Sequence, residues 1–152
     1  MAGKPLDQLK LDYLIKNAIT ENLLKTLAER AVEMVKTRTR LGYGVAGEKF
    51  AGSQQKLESL KSSTVENRKR KTLHPDTSPK KSNLTDTGQL LDSISYEVSG
   101  NRITVFLKGQ RNQTVAEYVS DARPFFALSK PEVTRLADLI QKAITTHLSK
   151  GK

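Results

Sequence analysis

The chain has no cysteine, which excludes disulfide scaffolds, thiolate metal sites and cysteine nucleophiles. Its two histidines, His74 and His147, stand about seventy residues apart, too few and too far separated for a metal site that needs three or four donors. No apolar run approaches the roughly 20 residues that span a bilayer. The opening Met1 to Asp7 lacks the apolar core of a secretory signal, so a soluble chain in a reducing compartment is expected. Aromatic residues are scarce, and none lies between Phe50 and Tyr96. Stacking platforms for single strands or RNA need aromatics interleaved with basic residues, and this stretch has none to offer. Hydrophobic residues make up only 36% of the chain, less than a typical globular protein carries.

Positive charge is what the chain has in excess. Twenty-six Lys and Arg against 16 Asp and Glu give a net charge of +10 over 152 residues, a length suited to one domain, 1–152. Three parts follow one another. Residues 5–36 read as helix: no Gly or Pro follows Pro5 within it, and Leu24, Leu27, Ala28, Ala31, Val32 and Val35 repeat at helical spacing. Leu11, Leu14, Ile15 and Ala18 form a second stripe, rotated roughly 110° from the first at the helical period. The mismatch falls around Thr20 to Asn22, so either one long helix serves two partners or two helices meet there with Thr20 as a cap. A continuous or gently bent helix, about 48 Å long, is the expectation.

Residues 37–84 lose globular patterning. Gly42, Gly44, Gly47 and Gly52 punctuate them, and His74-Pro75-Asp76-Thr77-Ser78-Pro79 cannot be regular structure. A partly helical island, 56–71, interrupts an otherwise extended arm. From Lys61 to Lys81 seven basic residues (Lys61, Arg68, Lys69, Arg70, Lys71, Lys80 and Lys81) face Glu66 and Asp76, which is +5, half the surplus in one short segment.

Residues 85–148 are patterned as a small α+β core. Asp86-Thr87-Gly88-Gln89 resembles a helix cap leading into Leu90, Leu91 and Ile94. Ile94, Tyr96 and Val98 alternate, Ser99 to Arg102 turns, and Ile103, Val105 and Leu107 alternate again, which is a hairpin. Val115 to Val119 is a short ambiguous element, and Arg123 must be extended because proline follows. Ser129-Lys130-Pro131-Glu132 is a capping box opening a C-terminal helix striped by Val133, Leu136, Ala137, Ile140, Ile144 and Leu148. The expected architecture is thus a long N-terminal helix, an extended basic arm, a small antiparallel sheet with a hairpin, and a C-terminal amphipathic helix.

Catalysis finds little footing. Gly42-Tyr43-Gly44-Val45-Ala46-Gly47 spells a dinucleotide fingerprint, but that motif works only between a strand and a helix; here it reads as a flexible hinge. Asp76, Asp86 and Asp92 sit beside turns and helix starts, where single carboxylates usually cap. No enzyme activity, cofactor or metal is expected. The run Arg68-Lys69-Arg70-Lys71 has two readings, contact with nucleic-acid phosphate through counterion release or a solvated helix face.

The segment Leu84-Thr85-Asp86-Thr87-Gly88-Gln89-Leu90-Leu91-Asp92-Ser93-Ile94, then the hairpin, then Val115-Ala116-Glu117-Tyr118, then Arg123-Pro124-Phe125-Phe126 and the final helix resembles, in order and spacing, the virion morphogenesis and tail-completion proteins of tailed bacteriophages. The resemblance covers 57–148; the N-terminal helix matches only in kind. The His/Glu-x-x-Gly loop usual before Arg-Pro-Phe is missing, and Val115 stands where tyrosine is common.

That resemblance implies a ring-forming head–tail joining, neck or tail-completion component, a hexamer around the DNA channel that assembles in the host cytoplasm and resides in the virion. Its partners would be copies of itself, portal, adaptor or tail proteins, and duplex DNA in the lumen without sequence reading; no membrane is involved. It also implies that Lys61, Arg68, Lys69, Arg70, Lys71, Lys80 and Lys81 face DNA or an acidic neighbour. Leu84, Thr85, Thr87, Gly88, Leu90, Leu91, Ile94, Arg123, Pro124, Phe125 and Phe126 would build core or subunit interface. Net charge by itself fits a second reading equally, a free-standing basic nucleic-acid-binding protein.

Overall fold

A computed structural model describes residues 18–46, 50–75, 77–84, 88–120 and 123–150. The fold is α+β. Helix α1 runs Glu21–Arg40, followed by strands β1 (Tyr43–Ala46) and β2 (Phe50–Lys56), helix α2 (Ser62–Lys69) and the short helix α3 (Gln89–Asp92). Strands β3 (Ile94–Ser99) and β4 (Arg102–Leu107), helix α4 (Gln110–Ser120), strand β5 (Leu128–Ser129) and helix α5 (Lys130–Lys150) complete it.

Helix α1 begins one residue after Thr20, whose Oγ1 accepts from the Leu23 amide at 3.1 Å. The backbone leaves the helical path at Ile19 and Thr20, so the expected continuous helix is interrupted there. Residues 5–17 lie outside the described residues. At its other end α1 continues four residues past Lys36, because Arg38 and Thr39 prolong the buried face of Ala28, Ala31, Val32 and Val35. Gly42, at φ +93°, ends it by taking a left-handed conformation that a side chain resists.

The expected arm 37–84 is therefore less extended than its composition implies. Its first two-fifths hold the end of α1 and an antiparallel β1–β2 pair in the register Tyr43↔Lys56 to Ala46↔Ser53. The Gly42–Gly47 stretch is no hinge over its described part. A Cβ at Gly44 would lie 2.4 Å from the Pro124 carbonyl oxygen and 2.8 Å from Leu57 Cδ2, so glycine is there because two backbones touch. The contact brings the Val45 amide to the Pro124 carbonyl at 2.8 Å. β2 then pairs in parallel with β5 through Phe50↔Leu128 and Gly52↔Ser129, with a bulge between.

The hairpin forms as its alternation predicts, from Ile94↔Leu107 to Ser99↔Arg102, turning at Gly100-Asn101. Tyr96 ties it to α1 by donating to Glu29 Oε1 at 3.0 Å, and this hydrogen bond raises the phenol pKa. The ambiguous element after it is helical, with Ala116 buried. The core gathers Val32 and Val35 of α1, Leu90, Leu91, Ile94, Leu107, Ala116 and Phe125. Phe125 and Leu91 are wholly enclosed. The stripe of α5 is half-buried rather than enclosed, and Ala137 is exposed, since one helix, α1, and strand β2 are what α5 packs on. Among the described residues no helix is long and apolar enough to cross a membrane.

Candidate functional site

Three arginines organise the basic region, and each is consumed by backbone. Arg38 reaches from the last turns of α1 and is 4% exposed. Its guanidinium donates to the carbonyls of Phe125 and Ala127, the latter at 2.9 Å, to the Tyr43 carbonyl at 3.4 Å, and to Glu132 Oε2 at 2.6 Å. Glu132 Oε2 also accepts from the Ser129 amide at 2.7 Å, so the capping carboxylate of α5 is simultaneously the counter-ion of α1. Burial lowers the pKa of Arg38, and the adjacent Glu132 carboxylate opposes that shift.

Arg123, two residues before Phe125, anchors the chain to a different segment. Its Nε donates to the Glu58 carbonyl at 3.2 Å and to Ser82 Oγ at 3.1 Å, and its Nη2 to the Ser59 carbonyl at 3.2 Å. Ser82 Oγ in turn donates to the Glu58 carbonyl at 2.5 Å. Asn83, fully buried, donates to the Arg40 carbonyl at 2.9 Å and accepts from Thr77 Oγ1 at 2.7 Å. Both ends of the basic segment are thereby stitched to α1 and to the Arg-Pro-Phe strip.

Arg68 does the same inside the segment. It is 6% exposed, and its Nη1 donates to the carbonyl of Lys81 at 2.9 Å and of Ser78 at 3.4 Å. This corrects the expectation that Arg68 faces DNA or an acidic neighbour. Its position on α2 turns inward, where loop carbonyls need a donor. The result is a scaffold: the 78–81 loop is held against the end of α2, and Lys80 comes to line the same recess as Lys69. Lys61, Lys69, Arg70, Lys71, Lys80 and Lys81 are all exposed. Lys69 and Lys80 line one recess of about 510 Å³ with Glu66, which pairs with Lys69 at 2.8 Å. An exposed pair of this kind contributes little to stability.

The expected core or interface residues divide. Leu90, Leu91, Ile94 and Phe125 are buried, while Leu84 and Phe126 pack half-buried against that core. Gly88 occupies the N-cap of α3 at φ +82° with no side-chain cap, and Arg123 and Pro124 lie half-buried at the anchors already described. Thr85, Asp86 and Thr87 lie outside the described residues. His74 packs against Gly88, His147 lies on α5, and among the described residues no cluster of His, Asp and Glu could hold a metal. Sequence reasoning missed Arg38, although its place three residues after Val35 on the buried stripe of α1 was the available signal.

Comparison with family models, with curated proteins and with solved structures gives no significant match. The phage resemblance therefore rests on motif order along this chain.

Proposed function

We propose that the chain is a structural component of a tailed-phage virion, a ring-forming head–tail joining, neck or tail-completion subunit whose basic face looks onto an anionic surface. It has no catalytic activity in this reading and needs no cofactor. The observation that carries it is the buried Arg68, which holds the Ser78 and Lys81 carbonyls against α2, where Lys69 and Lys80 line one recess that has no aromatic residue. Such a recess attracts phosphate or carboxylate without reading sequence, as suits a channel through which duplex must pass. The order of Thr-Gly turn, hairpin, Arg-Pro-Phe strip and final helix supports the family side of the reading.

The test is salt titration of the purified chain on duplex DNA, together with immunolabelling of particles from cells that make it. Weak, sequence-indifferent binding with steep salt dependence, and label at the junction of head and tail, is the expected outcome. Nanomolar binding by an isolated monomer at physiological salt, with no label on particles, would establish the free-standing nucleic-acid-binding protein instead.

A further inference from the structure

The β3–β4 hairpin is a sheet of two strands, and among the described residues no third strand covers either of its edges. The Lys108 amide donates to the Ser93 carbonyl at 2.8 Å. In the register Ile94↔Leu107 to Ser99↔Arg102 every second pair is bonded in the same way, so Ser95, Glu97 and Ser99 bond inside the hairpin. Ile94, Tyr96 and Val98 turn their amides and carbonyls off one edge, and Ile103, Val105 and Leu107 turn theirs off the other. The Leu107 carbonyl accepts from Gln113 Nε2 at 2.9 Å. The outward backbone groups of Tyr96, Val98, Ile103 and Val105 find no partner among the described residues.

Open edges invite another strand, and proteins blunt them with proline, lysine or a bulge. β3 and β4 carry none of the three. A recess of about 470 Å³ lies between the β3 edge at Ile94 and Tyr96 and the α1 residues Glu29, Glu33 and Lys36, so a strand has room to enter there. The β4 edge of a second copy fits it. Antiparallel pairing with Ile103 opposite Tyr96 and Val105 opposite Ile94 fills the recess and stops short of Leu107, whose carbonyl is engaged. The same register sets Glu97 opposite Arg102 in a pair without hydrogen bonds, where side chains stand closest and opposite charges attract. Both are exposed, and neither has an ion-pair partner among the described residues of its own chain. Two-fold pairings, β3 on β3 or β4 on β4, never set these two charges opposite each other and leave one edge of every copy bare.

We propose that β4 of one copy pairs antiparallel with β3 of the next, Ile103 opposite Tyr96 and Arg102 opposite Glu97, so that the hairpins join into one sheet running from copy to copy. The contact joins unlike edges, so it propagates head to tail and closes as a ring when the rotation allows. It names the subunit contact of the proposed ring and rests on that reading for closure alone.

The chain has no cysteine, so introduced thiols report this contact alone. Full-length Glu97→Cys mixed with full-length Arg102→Cys and mildly oxidised should give a disulfide-linked pair of unlike copies. Glu97→Cys with Thr104→Cys, out of register, should link only slowly. Ile103→Pro removes an amide that points off the open edge and breaks no bond of the hairpin. It should keep the wild-type circular dichroism and lose self-association in sedimentation. Should it fail to fold, Arg102→Glu at an exposed position replaces it: association should weaken, and adding Glu97→Arg to the same chain should restore it. Linking of Glu97→Cys to itself, faster linking at Thr104→Cys, or wild-type association of Ile103→Pro would overturn the proposal. So would the absence of any link between copies, which would leave the edge to a strand of another protein. Oligomers without these links would keep the ring and discard this contact. Links in a chain absent from virions would keep the contact and discard the function.

Discussion

Removing the Arg38–Glu132 pair one partner at a time separates what the charge does from what the hydrogen bonds do. Glu132 Oε2 accepts two charge-assisted bonds, from Arg38 at 2.6 Å and from the Ser129 amide at 2.7 Å. Glu132→Gln keeps an acceptor in place but makes it neutral, and each bond loses about 1 kcal/mol when the charge goes. The expected cost is about 2 kcal/mol. Arg38→Met is harsher. It strands a carboxylate that is almost wholly buried, which costs about 3–5 kcal/mol, and it deprives the Phe125 and Ala127 carbonyls of their donor. That approaches the whole stability of a domain, about 5–15 kcal/mol, so this variant should be marginal. In Arg38→Met/Glu132→Gln no charge is stranded, and the double variant should be no less stable than Arg38→Met. Urea unfolding followed by circular dichroism gives the four corners of the cycle, and the coupling expected is about 2 kcal/mol. Should Arg38→Met fail to fold, Arg38→Lys replaces it: a point charge that cannot span four acceptors should cost about 2 kcal/mol. Additive costs, or an Arg38 variant within about 0.5 kcal/mol of wild type, would refute the clasp.

Two other perturbations discriminate packing from charge. Gly44→Ala drives a methyl into the Pro124 carbonyl and Leu57 and should cost about 3 kcal/mol by overpacking and loss of the Val45 bond; a midpoint unchanged in urea would contradict it. Arg68→Ala should lower stability by about 1–3 kcal/mol because the Lys81 and Ser78 carbonyls lose their donor. Lys69→Ala/Arg70→Ala/Lys71→Ala should instead spare stability to within about 0.5 kcal/mol and flatten the salt dependence of DNA binding. Equal stability losses in the two variants would erase the distinction drawn between scaffold and surface.

Periodicity made the regular elements legible. The alternation at Ile94, Tyr96 and Val98 against Ile103, Val105 and Leu107 specifies both strands and their register, and Ser129 to Glu132 marks the start of α5. Thr20 was visible as a cap, but helix propensity on both sides of it argued for continuity, and a break of two residues has no signature stronger than that. The β1–β2 pair was hidden because Gly42, Gly44 and Gly52 imitate a flexible loop; what orders them is a backbone approach to Pro124, eighty residues away in sequence. Of the candidate site, composition located the charge and could not tell a pointing arginine from a holding one. Arg68 and Lys69 are neighbours of like charge, and only the position of the loop carbonyls decides that one is buried and the other exposed.

The clasp at Arg38 also imposes an order of events on synthesis. Its partners Phe125, Ala127 and Glu132 lie 87, 89 and 94 residues downstream. While the chain is being made, α1 leaves the ribosome with a guanidinium whose partners Phe125, Ala127 and Glu132 are still untranslated. Domains generally fold as units during synthesis, and this one cannot close until the first turn of its last helix has emerged. The nascent protein is thus held open through most of its own translation, and a truncation anywhere before Glu132 yields a chain without its latch.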